Sequence, residues 1–505
     1  MHLNKYRRTL SLLASLSFFC MFCSARTVFL VDDYGAIPDD GLDDGAAARA
    51  AVAAAVASGQ PSEVRFGQGS YHLAPATGET QCVKIQYASD LVFCGAGTNQ
   101  TELIFTDRNN FSIRVYYSTD VVLENFSIDY DPLPFTQGTL TRVGADEFDI
   151  QLDSGYPELS DSFFSEWNLL GKKVVTVNGT NYYDGYLYKP WDDSNPPVFT
   201  DLGNGQFTVS PIEGERVDQM TIGDRVVLWG SGQWSLEFIG NVDLTLRNVN
   251  IYSCPRMVTS WHANENVQIN HVAILPKPGT TRYLSSNRDG FTGNGFRGDL
   301  VIEDCYFEAL GDDYINIGSY ANPIAEVISP TNIVVTKARH ESFYVGDNIQ
   351  IYDETSATLH GHAEIIAFTN LGSGLYQLNI APAIAAADVD MKVFNLNSCG
   401  SGAIIRNNRF MESRSRVLLR SHDVLVENNH FQSASKELID IIYDYGWNAG
   451  IIAYDITIRN NQFIRPTGPN DSIIHIAQKT DGAIPDMSIT NILIKGNMPL
   501  HGIAS

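Results

Sequence analysis

Three carboxylates, Asp289, Asp312 and Asp313, fall in a stretch rich in Gly, Asn and Arg. Brought together, such groups repel one another, so not all of them ionise at neutral pH. A protonated carboxyl beside an ionised one is the pairing that general acid and base catalysis requires. Glycoside hydrolysis uses two carboxyls in this way, roughly 6.5–9.5 Å apart when water attacks directly. Two plainer uses also fit: capping of turn N–H groups, and calcium binding. Calcium-dependent lyases add an Arg or Lys base to such a cluster, and Arg416 is available for that role. Asp289 and Asp312 are 23 positions apart, so the fold must bring them together.

A short pattern recurs along the chain: aliphatic, spacer, polar (mostly Asn), two positions, then Phe or Ile. It appears as Leu123-x-Asn125-x-x-Ile128, Leu246-x-Asn248-x-x-Ile251, Ile269-x-His271-x-x-Ile274 and Ile302-x-Asp304-x-x-Phe307. It returns as Ile405-x-Asn407-x-x-Phe410, Val426-x-Asn428-x-x-Phe431 and Ile458-x-Asn460-x-x-Phe463. Recurrence near 21–23 residues indicates stacked coils, each too small to bury its own apolar face. The multi-Leu consensus of leucine-rich repeats is absent. Asn tolerates unusual dihedrals and bonds nearby backbone, so a stacked Asn ladder suits a β-solenoid. The fold predicted is all-β: a right-handed parallel β-helix with two inserted small β-barrels and a short N-terminal capping helix.

The repeat supplies a register for the carboxylates. Five and six residues after Phe307 stand Asp312 and Asp313; the same count after Phe410 and Phe431 gives Ser415/Arg416 and Lys436/Glu437. After Ile251 it gives Arg256. The coil from Ile269 is about ten residues over the norm, with the surplus placed between Lys277 and Ser286; allowing for it, Asp289 falls at the same point of its coil. Asp289 is thus expected beside Asp312 or Asp313, with roughly 4.8 Å between backbones. Arg256, Arg416 and Glu437 would continue the row.

Spacing between repeats also locates the insertions. Leu123 to Leu246 spans one coil plus about 100 residues, and Ile302 to Ile405 one coil plus about 80. The expected organisation is an export signal over 1–25, a cap and first coils over 26–132, and a first inserted β-barrel over 133–229. Catalytic coils follow over 230–319, a second barrel over 320–398 and the last coils over 399–505. Both insertions carry a shared phrase, Ile222-Gly223-Asp224 and Val345-Gly346-Asp347, each followed by alternating apolar residues. The Ala-rich run Ala46–Ala57 reads as a helix capping the open end of the solenoid.

Lys5, Arg7 and Arg8 before the apolar run Leu10–Phe22, with Cys23-Ser24-Ala25 after it, read as a signal peptide and place the protein outside the cytoplasm or in a periplasm. Removing it takes the net charge from −24 to −27. That acidity argues against nucleic acid or an anionic membrane as partner, and a neutral glycan is the simpler expectation than a polyanion. No later segment reads as a membrane span. Cys82, Cys94, Cys254, Cys305 and Cys399 remain, an odd number without metal-ligand spacing. Cys82–Cys94 as a disulfide and five buried thiols are both open readings, and so are monomer and homodimer.

Asn287-Arg288-Asp289-Gly290-Phe291, Arg297-Gly298, Ile302–Phe307 and Gly311-Asp312-Asp313-Tyr314-Ile315-Asn316 together resemble glycoside hydrolase family 110, the α-1,3-galactosidases. The likeness covers most of the chain and is most specific in this segment. It implies a β-helix with two inserted barrels and inverting hydrolysis of terminal α-1,3-linked galactose, as on blood-group-B-like glycans, with no metal or other cofactor. The family's three catalytic aspartates map onto Asp289, Asp312 and Asp313. By similarity to the related polygalacturonases, Asp312 would protonate the leaving oxygen while Asp289 and Asp313 hold and deprotonate the water. Thr292 and Gly318 depart from the pattern, standing where many members carry His.

The competing enzyme is a polygalacturonase-like hydrolase, whose Gly-His-Gly motif is missing after Asp313 while Arg416 and Arg420 could mimic its basic subsite. A different class is a β-helix adhesin or tailspike that only binds glycans. Expected substrate contacts are Arg256, Trp261, Asn316, Arg416 and Glu437. Trp261, with neighbouring His262, and Trp447 could each stack on a sugar or pack under the fold. Asn316 could contact sugar or belong to a ladder.

Overall fold

The computed structural model describes residues 26–165, 170–177, 180–186, 198–210, 220–411, 415–432, 437–443, 449–465, 473–478 and 489–501. The expected signal peptide, Lys436 and Trp447 lie outside them.

The repeat's first residues form one continuous parallel ladder: Leu123 pairs Leu246, then Ile269, Ile302, Ile405, Val426 and Ile458. Its last residues form a second, from Ile128 through Ile251, Ile274, Phe307, Phe410 and Phe431 to Phe463. Each pattern is therefore one rung, buried on its inner side because the coil below and the coil above cover it. The phenylalanines stack at centroid distances of 5.0, 4.6 and 5.0 Å from Phe307 to Phe463. The chain folds as a parallel β-helix, with an eighteen-stranded sheet and a ten-stranded sheet running along it.

The polar residue of each rung marks the bend between its two strands. Asn125, Asn248, His271, Asp304, Asn407, Asn428 and Asn460 all take left-handed φ of 50–63°, a conformation Asn and Asp tolerate better than most residues. The hydrogen-bonded ladder, however, is built one residue later. Buried Asn408, Asn429 and Asn461 run to Asn497 with N–H···Oδ1 bonds of 2.8–2.9 Å, while Asn407, Asn428 and Asn460 face solvent. The turn residue and the ladder residue are distinct.

The helix Gly45–Ser58 buries Ala47, Ala48, Ala51, Val52 and Ala55 against the first coils. Its small side chains let it lie flat on the end of the solenoid, and Gly59 ends it at φ 60°. The second insertion closes into a six-stranded antiparallel barrel between Asn322 and Asn395. The first insertion is described in part. Among the described residues it is a seven-stranded antiparallel sheet with Thr180–Tyr186 and Val198–Gly203 at its two edges. The five cysteines among the described residues, Cys82, Cys94, Cys254, Cys305 and Cys399, are free and buried. Cys82 and Cys94 sit in different sheets, which disposes of the disulfide reading.

Candidate active site

The ten-stranded sheet carries the site. Its strands Thr259–His262, Phe291–Asn294, Ile315–Tyr320, Val417–Leu419, Ile439–Tyr443 and Ile474–Gln478 run parallel, with Thr259, Phe291, Ile315, Val417, Ile439 and Ile474 level. Asp289 and Asp313 each precede their level residue by two, and the Gly290 amide donates to the Asp313 carbonyl at 2.9 Å. Asp289 is thus the neighbour of Asp313, with Asp312 near enough to act on both by charge.

Glycines make this approach possible. A Cβ on Gly290 would stand 2.6 Å from the Tyr314 carbonyl, and one on Gly311 would stand 2.2 Å from that of Asn287. Asn287, fully buried, donates through Nδ2 to the carbonyls of Pro134 (2.9 Å), Gly230 (3.0 Å) and Pro255 (3.2 Å). It ties the Asp289 loop to the points where the chain leaves the solenoid for the first insertion and returns.

Asp289 and Asp313 are almost entirely buried, at 4% and 7% exposure. Burial, then the charge of Asp312, pushes the Asp289 carboxyl up to about 6. The Thr292 hydroxyl, donating to its Oδ2 at 2.5 Å, acts in the opposite sense, as do Arg288 and Asn316. Thr292 therefore supplies a donor at a position where His was the family expectation. Burial also holds Asp313 well above the usual carboxylate range, with Arg416 opposing and Asp312 and Asp289 adding to the rise. A trio of this kind keeps a proton near neutrality while leaving a carboxylate ionised.

Arg416 does not stand in the aspartate row as a free substrate contact. Its Nε donates to Asp313 Oδ1 at 2.9 Å and its Nη1 to Asp440 Oδ2 at 2.5 Å. Asp440, 1% exposed, also accepts from His475 Nδ1 at 2.9 Å. Asn316 lies on the outer face of the sheet, where its Oδ1 accepts from Arg420 Nη2 at 2.6 Å. Glu437 is half-buried, two residues before Ile439 and so level with Asp289 and Asp313. Arg256 and Arg288 lie on adjacent coils beside Asp289, with Arg256 over Trp234 at 5.3 Å. Three arginines around the trio supply the countercharge that the calcium reading asks of a cation.

Trp261 must be corrected. Strand alternation turns Ser260 and His262 outward and Trp261 inward, where it is wholly buried and stacked on Phe238 at 4.0 Å. It is a core residue and cannot stack on a sugar. Asp440 and His475 were missed. The signal was present in Leu438-Ile439-Asp440-Ile441-Ile442, where one carboxylate interrupts an aliphatic strand at an outward position. A separate cavity of about 350 Å³, lined by Tyr117, Arg297, His340 and Tyr344 among others, lies between the solenoid and the second insertion and does not include the three aspartates.

No family model matches the sequence. The chain is 25% identical to α-1,3-galactosidase A of Streptomyces avermitilis, over 90% of this chain and 81% of that one. It is 26% identical to α-1,3-galactosidase B of Bacteroides thetaiotaomicron over 80% and 68% of the two chains, and 22% identical to α-1,3-galactosidase A of the same organism over 88% and 84%. Among solved structures, an exopolygalacturonase from Thermotoga maritima superposes with a TM-score of 0.40 at 12% identity, covering 91% of this chain and 78% of that one. The chain is homologous, over most of its length, to curated proteins named α-1,3-galactosidase, and this makes it a glycoside hydrolase.

Proposed function

We propose that the protein is an exported, exo-acting, inverting α-1,3-galactosidase that releases terminal galactose from glycans. The observation that carries this reading is the trio itself: Asp289 and Asp313 buried on adjacent coils and both raised, with the less buried Asp312 near enough to raise each by its charge. In this reading a protonated carboxyl of the trio gives its proton to the departing glycosidic oxygen while an ionised one takes the proton of the attacking water, and Arg416 opposes the rise of Asp313. Names of the homologous proteins supply the sugar and the linkage; the trio supplies a means of hydrolysis without a covalent intermediate.

The test is digestion of α-1,3-galactobiose followed by proton NMR, with polygalacturonate as the comparison substrate. Release of β-galactose as the first product, later mutarotating, is expected. First release of α-galactose, or cleavage of polygalacturonate alone, overturns the proposal.

A further inference from the structure

Beside the trio sit two arginines, Arg256 and Arg288, that make no ion pair among the described residues. The Arg288 amide donates to the Arg256 carbonyl at 2.9 Å, so the two residues are neighbours on adjacent coils. Arg256 is held below the ordinary arginine range by burial and then by the charge of Arg288. Both are half-buried, and the Nε of each is buried with no hydrogen-bond partner. Among the described residues neither guanidinium makes an ion pair, although arginines elsewhere in the chain do, as at Asp313, Asp347 and Glu237. Buried donors without acceptors are costly, the more so when charged, and a bound ion or ligand that completes them is one explanation of their survival in a native fold.

We infer that Arg256 and Arg288 form an oxyanion subsite, so that the preferred glycan carries an anionic group, a sulfate ester or a carboxylate, on the sugar next to the scissile bond or on the galactose itself. This rests on the proposed glycosidase reading and specifies its substrate. Two guanidiniums side by side offer paired N–H donors matched to sulfate or carboxylate oxygens. Trp234 backs Arg256 and limits where it can swing. The protein's overall negative charge repels a polyanion at long range, but a single oxyanion delivered to a desolvated arginine pair is governed by the local field. Asp289 acts on Arg256 by its charge and Arg288 acts on Asp289 by its own, but Asp289 already takes the Thr292 hydroxyl and makes no ion pair with either among the described residues.

The experiment has two arms. In the first, kcat/KM is measured for α-1,3-galactobiose and for the same disaccharide bearing a 6-sulfate or a 6-carboxylate. Wild type should prefer one charged form by ~10-fold or more, mainly through KM, and Arg256→Gln/Arg288→Gln should abolish the preference; the better of the two charged forms identifies the anion. In the second, inorganic sulfate and acetate are titrated into the full-length protein while the arginine Nε–H signals are followed by NMR. Saturable shifts that vanish in the double variant are expected. No preference in the first arm together with no saturable binding in the second overturns the inference. A wild type inactive on every galactoside overturns the glycosidase reading and leaves the anion titration to decide the subsite.

Discussion

Arg416 Nε lies 2.9 Å from a carboxylate oxygen of Asp313, and the same guanidinium is anchored on its far side by Asp440. Arg416 is the group that opposes the rise of Asp313. Replacing it with Gln leaves burial, Asp312 and Asp289 acting alone, all in the raising direction. If Asp313 works as an anion, the acid limb of kcat/KM should move to higher pH. Asp440→Ala frees the guanidinium and should shift the limb the same way by less. Because Asp440 acts through Arg416, the double variant should be no worse than Arg416→Gln. Additive shifts would show that Asp440 has no such part.

Replacement of Asp289, Asp312 or Asp313 by Asn, one at a time, should lower kcat by ~10²–10⁴-fold with little change in KM, as expected for groups that move protons in the transition state. Circular dichroism and thermal melts establish that each variant is folded. Pairwise replacements should fall well short of the product of the single losses, since the three act as a unit. A single variant keeping more than about a tenth of the wild-type kcat would remove that residue from the mechanism.

The solenoid was readable because its repeat is a physical necessity. A rung cannot bury itself, so the same apolar positions return at each coil, and their pairing from Leu123 to Ile458 follows from counting alone. The register also brought Asp289 to Asp313. What failed depended on detail below that period. The visible Asn of each repeat is the left-handed turn residue, while the ladder is the residue after it, and only hydrogen-bond geometry separates the two. Trp261 was misplaced because a one-residue difference in a strand exchanges core for surface. The Asp440 link to Asp313 through Arg416 crosses two coils by side-chain reach, which spacing does not encode.

Burial of Asp289 has a stability consequence that runs opposite to its catalytic use. Its folded-state carboxyl is raised to about 6, above the ordinary value of 3.8. A raised carboxyl stabilises the fold in its protonated form, so that contribution is complete below the unfolded pKa near 4 and is lost as pH rises through about 6. Asp289→Asn should therefore be more stable than wild type at pH 7.5, by up to ~3 kcal/mol, and the difference should vanish toward pH 4. Urea unfolding at the two pH values checks this. A variant less stable than wild type at pH 7.5 would mean that the hydrogen bonds to Asp289 outweigh its burial.

The two asparagines at each bend make opposite predictions. Asn429 is buried, takes the Asn408 amide on its Oδ1 at 2.9 Å, and gives Nδ2 to the Ile405 carbonyl at 2.9 Å and to Asn461 Oδ1 at 3.0 Å. Asn429→Ala strands a buried N–H and a buried carbonyl on the neighbouring coil, at about 1–3 kcal/mol each, and should cost about 3–5 kcal/mol in all. Asn428 is exposed at φ 56°, a conformation glycine adopts without penalty. Asn428→Gly relieves that strain but adds backbone freedom to the unfolded chain, so it should change stability by less than about 1 kcal/mol. Hydrogen exchange of the Ile405 and Phe431 strands reads both effects at the coil concerned. Equal losses in the two variants would mean that the ladder contributes no more than the turn, because the pairing of the strands alone would then hold the coils in register.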